Sequence, residues 1–236
     1  MRDLYLRIST SVMLTAIMAG VDAAPLTIFT DKSTFLAATG ATSASGSLPD
    51  IGFIADGSET VGSITFNQAG SHGLFIGTTG TGVGDWTASL PGNDIAINDT
   101  EDLNLSTAAP VFALGFEFAE PSLGGSGTGS CFVANCIDST FTVTLKAGVS
   151  TVGSFQFNVQ DDIAGFVGVW SDVAFNGIEV RETSGGIDDE FYGQVYSGTV
   201  APVPVPAALP LLVSAVGMLG VVRRRALRRG GGHRPD

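Results

Sequence analysis

Short runs of β-type residues recur through the middle of this chain, at 26–30, 61–66, 74–76, 94–98, 111–118, 140–147, 152–158, 166–170, 173–181 and 191–196. Clusters of Gly, Ser, Asn and Asp separate them. Strand-length runs between turn signals are the pattern of an antiparallel sandwich. Because strand side chains change face at every residue, Phe141, Val143 and Leu145 share one face, and so do Phe112, Leu114, Phe116 and Phe118. Phe at strand spacing is ordinarily packing rather than a cofactor box, so these faces are the predicted core.

One segment has helical character. Thr30-Asp31-Lys32-Ser33 offers capping side chains, and no Pro or Gly interrupts the chain from Thr34 until Gly40. A short helix near Lys32 to Thr39 is predicted. Residues 41–57 are rich in Ser, Gly and Asp with few large apolar side chains, and read mostly as loop. The predicted fold is therefore all-β: an antiparallel β-sandwich, jelly-roll-like, with one short N-terminal helix, and it occupies 24–200 as a single domain.

Charge is segregated along the chain. Between Ala24 and Ala201 the basic residues are Lys32, Lys146 and Arg181, against all acids except Asp3, Asp22 and Asp236, which leaves that span at −17 while the whole chain stands at −12. Such a domain repels nucleic acid and anionic membrane surfaces, so no nucleic-acid partner is expected.

Both ends read as targeting segments. Arg2 and Arg7 precede a mostly apolar stretch over 8–20, and Val21-Asp22-Ala23 supplies acceptable residues for a signal peptidase, so 1–23 is predicted to be a signal peptide cut after Ala23. At the other end, Ala201-Pro202-Val203-Pro204-Val205-Pro206 forms a semi-rigid extended spacer. Residues 207–222 are apolar or small apart from Ser214, and at about 1.5 Å per residue this run approaches the roughly 30 Å of a bilayer core. A C-terminal transmembrane helix is predicted there, followed by a disordered 230–236. Arg223, Arg224 and Arg225, with Arg228 and Arg229, would hold its C-terminal side in the cytoplasm and leave the acidic domain outside.

The order of proline spacer (Val203, Pro204, Val205, Pro206), hydrophobic helix and terminal arginine cluster resembles the PEP-CTERM sorting signal, over 201–229. It has Val205 where the commonest form has Glu, and so resembles the proline-and-valine variant. The resemblance implies an exosortase-type processing enzyme as partner. Residues 30–38, 110–116, 165–169 and 187–189 are similar to ectodomains often carried by such proteins.

The candidate chemistry is sparse. Cys131 and Cys136 are the only cysteines, and in an exported chain a disulfide closing this small loop is favoured over a metal pair. It would restrict the unfolded chain by about 2 kcal/mol. His72 sits in a turn-like Gly70-Ser71-His72-Gly73 without a G-x-S-x-G elbow, and His233 lies in the basic tail, so no serine hydrolase is proposed. Glu117, Glu120, Asp188, Asp189 and Glu190 could supply paired carboxylates, but Glu117 and Glu120 differ by an odd number and would face opposite sides of one strand. The acid clusters at 93–102 and 188–190 could bind Ca²⁺, but neither matches an EF-hand loop, and solvated turn acids are the preferred reading. No catalytic residue and no cofactor is assigned.

These readings describe an exported, non-enzymatic protein of the cell surface or extracellular matrix, sorted through its tail and associated with exopolysaccharide or biofilm. The alternative is a carbohydrate-binding module, and after it a glycan-active enzyme. A module of that kind would present exposed aromatics beside polar groups, and Trp86, Trp170, Tyr192 and Tyr196 are the Trp and Tyr residues of the predicted ectodomain.

Overall fold

The computed structural model describes residues 25–70, 73–77, 90–97, 102–120, 139–160, 163–184 and 190–202, and in them the β-type runs form a sheet of twelve strands with one short helix against it. The elements are β1 (Leu26–Phe29), α1 (Lys32–Thr39), β2 (Thr42–Ser43), β3 (Gly52–Ile54), β4 (Ser58–Val61), β5 (Ile64–Gln68), β6 (Leu74–Gly77), β7 (Asp94–Ile97), β8 (Leu103–Ala119), β9 (Thr140–Ala147), β10 (Ser150–Phe157), β11 (Gly165–Ser184) and β12 (Phe191–Gly198). Every ladder between them is antiparallel.

Two long strands make the sheet double over into a sandwich. The first half of β8 pairs with β5 and with the second half of β11, which in turn pairs with β9; β10 completes that layer at one side and β4 at the other. The second half of β8 pairs with β12 and with the first half of β11, which carries β1, and β12 leads on through β7 and β6 to β3. The turnover point is visible in the register: the β8–β11 ladder breaks between Trp170 and Phe175 and again before Gly177. Pro110, which has no N–H to give a ladder, lies in this interval with Ala108 and Ala109, all exposed.

The inward face changes parity at that corner. Leu103 and Leu105 enter the core before it, Val111 at it, and Leu114, Phe116 and Phe118 after it. Phe112, expected on the same face as Leu114, is only half-buried, because the corner rotates the strand and turns Val111 inward instead. The two layers meet through aromatic rings: Phe118 stands edge-on to both Phe141 and Phe157 at 5.2 Å, and Phe141 stacks on Phe157. A buried Phe contributes about 1.5–3 kcal/mol by removal from water, so this cluster is a main source of the fold's stability.

Other boundaries differ from the sequence expectation for local reasons. The run at 61–66 is a hairpin, with Val61 opposite Ile64 and Gly62 at φ 62 in the turn between β4 and β5. β8 starts at Leu103, earlier than its apolar run suggests, since Asn104, Ser106 and Thr107 alternate with buried leucines. The runs at 166–170 and 173–181 are one strand, β11. Residues 41–57 are not all loop: they hold β2 and β3, and the buried Ser45 ties the segment to β12, its Oγ accepting from Val195 N at 3.1 Å.

The helix forms where expected. Asp31 caps it, its carboxylate accepting from Thr34 N at 2.7 Å, and Gly40 at φ 64 ends it with its N–H on Leu36 O. Eight residues are too few to be helical alone, so tertiary contact must hold the element. Phe35, fully buried, supplies it by docking on the outer face of β8 and β11 with Ala113 and Phe166. Among the described residues no helix is long and apolar enough to cross a membrane. The predicted signal peptide, the membrane helix and the sorting tail from Val203 onward lie outside the described residues.

Candidate functional site

Beneath the N-terminus of α1, the outer face of the β11–β8–β12 layer carries an acid in the middle of an apolar strand. In Phe116-Glu117-Phe118 the rings point into the sandwich, so Glu117 points the other way, toward the helix. Its side chain is only 8% exposed. Burial of a carboxylate requires partners, and three converge on it.

Lys32 Nζ donates to Glu117 Oε1 at 2.6 Å and lies 3.3 Å from the Tyr196 hydroxyl and 5.2 Å from the Tyr196 ring centroid. The Tyr196 hydroxyl has two acceptors within reach, Glu117 Oε1 at 3.3 Å and Gln194 Oε1 at 3.1 Å. The backbone N–H of Gln194 donates to Glu117 Oε2 at 3.2 Å. That last bond depends on a bulge: between Tyr192 and Val195 the register of β12 slips against β8, which turns Gln194 N toward the acid. Gly193 makes room, since a Cβ there would stand 2.8 Å from both Cβ and Oε2 of Glu117.

The electrostatics follow from this geometry. The hydrogen bond to Glu117 raises the Lys32 pKa above its ordinary 10.5, against the opposing effect of partial burial. Burial raises Tyr196 above the usual phenol value, with Lys32 pulling the other way. Asp31 is held at about 2 by its hydrogen bonds with Ser33 and Thr34. At neutral pH the site thus carries an ionised helix cap, a protonated amine and a neutral phenol.

Asp31, Lys32 and Glu117 line a cleft of about 320 Å³ together with Leu90, Pro91 and Phe166. The volume is at the lower end of the small-ligand range. Phe166 pairs across the ladder with Glu117 and packs on Phe35, and Gly115 and Gly168 leave space for the two rings. The cleft therefore joins hydrogen-bonding groups to an apolar wall.

The sequence-predicted residues are distributed around this site. Glu117 and Tyr196 are in the cluster, whereas Tyr192 is fully buried in the sandwich core between Phe116 and Phe118 and cannot present a ring to a ligand. Trp170 is half-buried, its indole N–H donating to Val200 O at 2.8 Å. Glu120 turns away from Glu117 to accept from Ser139 N, ahead of β9 in the opposite layer. Asp94 and Glu190 are both fully buried, and Asp102 forms an ion pair with Arg181 at 3.7 Å, so these three are not solvated turn acids. Among the described residues no group of three or more His, Cys, Asp or Glu side chains is placed to hold a metal ion. His72, Trp86, Cys131, Cys136, Asp188, Asp189, Val203, Pro204, Val205, Pro206, Arg223, Arg224, Arg225 and His233 lie outside the described residues.

Sequence reasoning passed over Lys32, Gln194 and Phe166. The available signal was an acid flanked by Phe within an apolar strand run, which must be buried on one face, in a domain with three cations to neutralise it.

No protein-family model and no curated protein matches the chain. Among solved structures it is similar to a family 11 carbohydrate-binding module studied in solution, with a TM-score of 0.31 and 10% identity over 70% of this chain and 98% of that one. It is also similar to the family 11 carbohydrate-binding module from Clostridium thermocellum in complex with a β-1,3-1,4-mixed-linked tetrasaccharide, with a TM-score of 0.32 and 10% identity over 64% of this chain and 97% of that one.

Proposed function

We propose that this chain is an exported protein of the cell surface or extracellular matrix whose β-sandwich, jelly-roll-like in form, binds a neutral polysaccharide in the Lys32–Glu117 cleft. The observation that carries the reading is charge pairing. Each of the three basic residues of the acidic domain is already paired with a carboxylate: Lys32 with Glu117 at 2.6 Å, Lys146 with Glu179 at 3.8 Å, and Arg181 with Asp102 at 3.7 Å. An anionic polymer would meet a domain at −17 with no cation in 24–201 left to receive it. A neutral sugar meets no such repulsion, and its hydroxyls find the ammonium of Lys32 and the carboxylate of Glu117 beside the apolar wall of Phe166.

Binding rather than catalysis suits the carboxylates of the cleft. Asp31, held at about 2, has no proton to give as a general acid at neutral pH and is engaged in capping α1. Glu117 is bound by Lys32, Tyr196 and Gln194 N.

Delivery to the surface belongs to the two ends of the sequence. The leader 1–23 would export the chain, the helix 207–222 would stop it in the membrane with Arg223, Arg224 and Arg225 inside, and an exosortase-type enzyme would act near Val203–Pro206. A disulfide between Cys131 and Cys136 would form after export.

Co-sedimentation of the purified full chain with insoluble neutral glucans and with acidic polysaccharides tests the reading. Retention on a neutral polymer that persists in high salt supports it. Retention on acidic polymers alone, or on none, removes it and leaves a structural matrix role.

A further inference from the structure

We infer that the site takes at least two consecutive residues of a linear neutral glycan, because a second, mostly apolar hollow adjoins the cleft. This inference rests on the neutral-glycan reading above. The second hollow, of about 210 Å³, lies between β1 and the end of β10 and is walled by Ile28, Phe29, Phe157 and Val159. The two hollows share Thr30, Gly165 and Phe166, so they adjoin across that wall, the first bearing Lys32 and Glu117 and the second mostly apolar side chains with Asn158 and Gln160.

The junction is built on Gly165. A Cβ at this position would stand 2.5 Å from Val159 Cγ1, so any side chain there would press on the wall of the apolar hollow. Phe166 separates the two hollows without belonging to either alone, since it lines both. A single sugar ring engaging Lys32 and Glu117 would leave the second hollow unused. The next residue of a linear chain would lay the C–H face of its ring against Ile28 and Phe157, where no charged side chain lines the wall. Sugars present such an apolar face beside their hydroxyls, which matches the change in polarity from one hollow to the other.

The test is calorimetric titration of the full chain with glucose and with neutral gluco-oligosaccharides of two to six residues. Ile28 is 39% exposed on the edge strand β1, so Ile28→Ser removes apolar wall without emptying the core. The expected result is affinity about tenfold higher for a disaccharide than for glucose, with Ile28→Ser abolishing most of that gain and leaving glucose unchanged. Glu117→Gln should weaken both lengths alike. Affinity independent of length, or equal loss for both lengths in Ile28→Ser, overturns the two-residue site while the polar cleft stands. Octyl glucoside binding where the tetrasaccharide does not would assign the apolar hollow to an alkyl chain and overturn it too. No binding of any oligosaccharide overturns both this inference and the function on which it rests.

Discussion

Replacing Phe35 by Ala should detach α1 and with it one wall of the cleft. The Phe35 side chain is fully buried, 5.5 Å from the Phe29 ring and 5.2 Å from the Phe166 ring, and it lies over Gly168, where a Cβ would come within 2.8 Å of its ring. Loss of its transfer free energy is about 1.5–3 kcal/mol. Each lost aromatic pair adds about 0.5–1.5 kcal/mol, which brings the total to the usual cost of a buried Phe→Ala change, about 3–5 kcal/mol. Against a total stability of about 5–15 kcal/mol that is a large fraction. Urea unfolding followed by tryptophan fluorescence should show the midpoint falling by about 1–2 M at unchanged slope. Phe53→Ala, at a position 66% exposed, should move the midpoint little. Equal shifts for the two variants would refute the claim that Phe35 anchors the helix.

Gly193→Ala should push the Glu117 carboxylate off Gln194 N and Lys32, and should lower both the melting temperature and glycan affinity, measured by scanning calorimetry and titration. Gly115→Ala places a Cβ 2.5 Å from Phe166 Cζ, and overpacking of this kind costs about 1–3 kcal/mol, readable as a urea midpoint shift. The pH dependence should be flat near neutrality and fall at both extremes. Because the folded pKa of Asp31 is depressed to about 2, its contribution is present above the unfolded 3.8 and is lost as pH falls from there toward 2. Because that of Lys32 is raised, its contribution is present below 10.5 and is lost as pH rises through the folded value. Thermal melts from pH 2 to 12 check both signs. Neutralising Arg223, Arg224 and Arg225 should impair retention and orientation in a protease-accessibility assay, whereas altering Val203 to Pro206 should leave the helix inserted but the tail untrimmed.

Much of the architecture was legible because strand periodicity and turn residues act locally. The bounds of the helix, for instance, follow from Asp31 and Gly40. The long strands were less legible, because β8 and β11 owe their continuity to partners distant in sequence, and a corner such as 106–110 looks like a turn until both layers are present. Parity reasoning failed at Phe112 for the same reason: it assumes one flat strand, and the strand rotates. The cleft was half legible. Glu117 was named only as one of five candidate carboxylates, Lys32 is far from it in sequence, and Tyr192 and Tyr196, although four residues apart, fall on opposite faces because the bulge at Gly193 and Gln194 intervenes.

The most direct measurement is a ¹H–¹⁵N NMR titration of the protein with a neutral gluco-tetrasaccharide. The account predicts that the amides of Lys32, Glu117, Gly165, Phe166 and Gln194 shift together and saturate with one affinity, and that an acidic oligosaccharide leaves them unmoved. Shifts confined to another surface, such as the exposed Ile51 and Phe53 of the β3 edge, would contradict it.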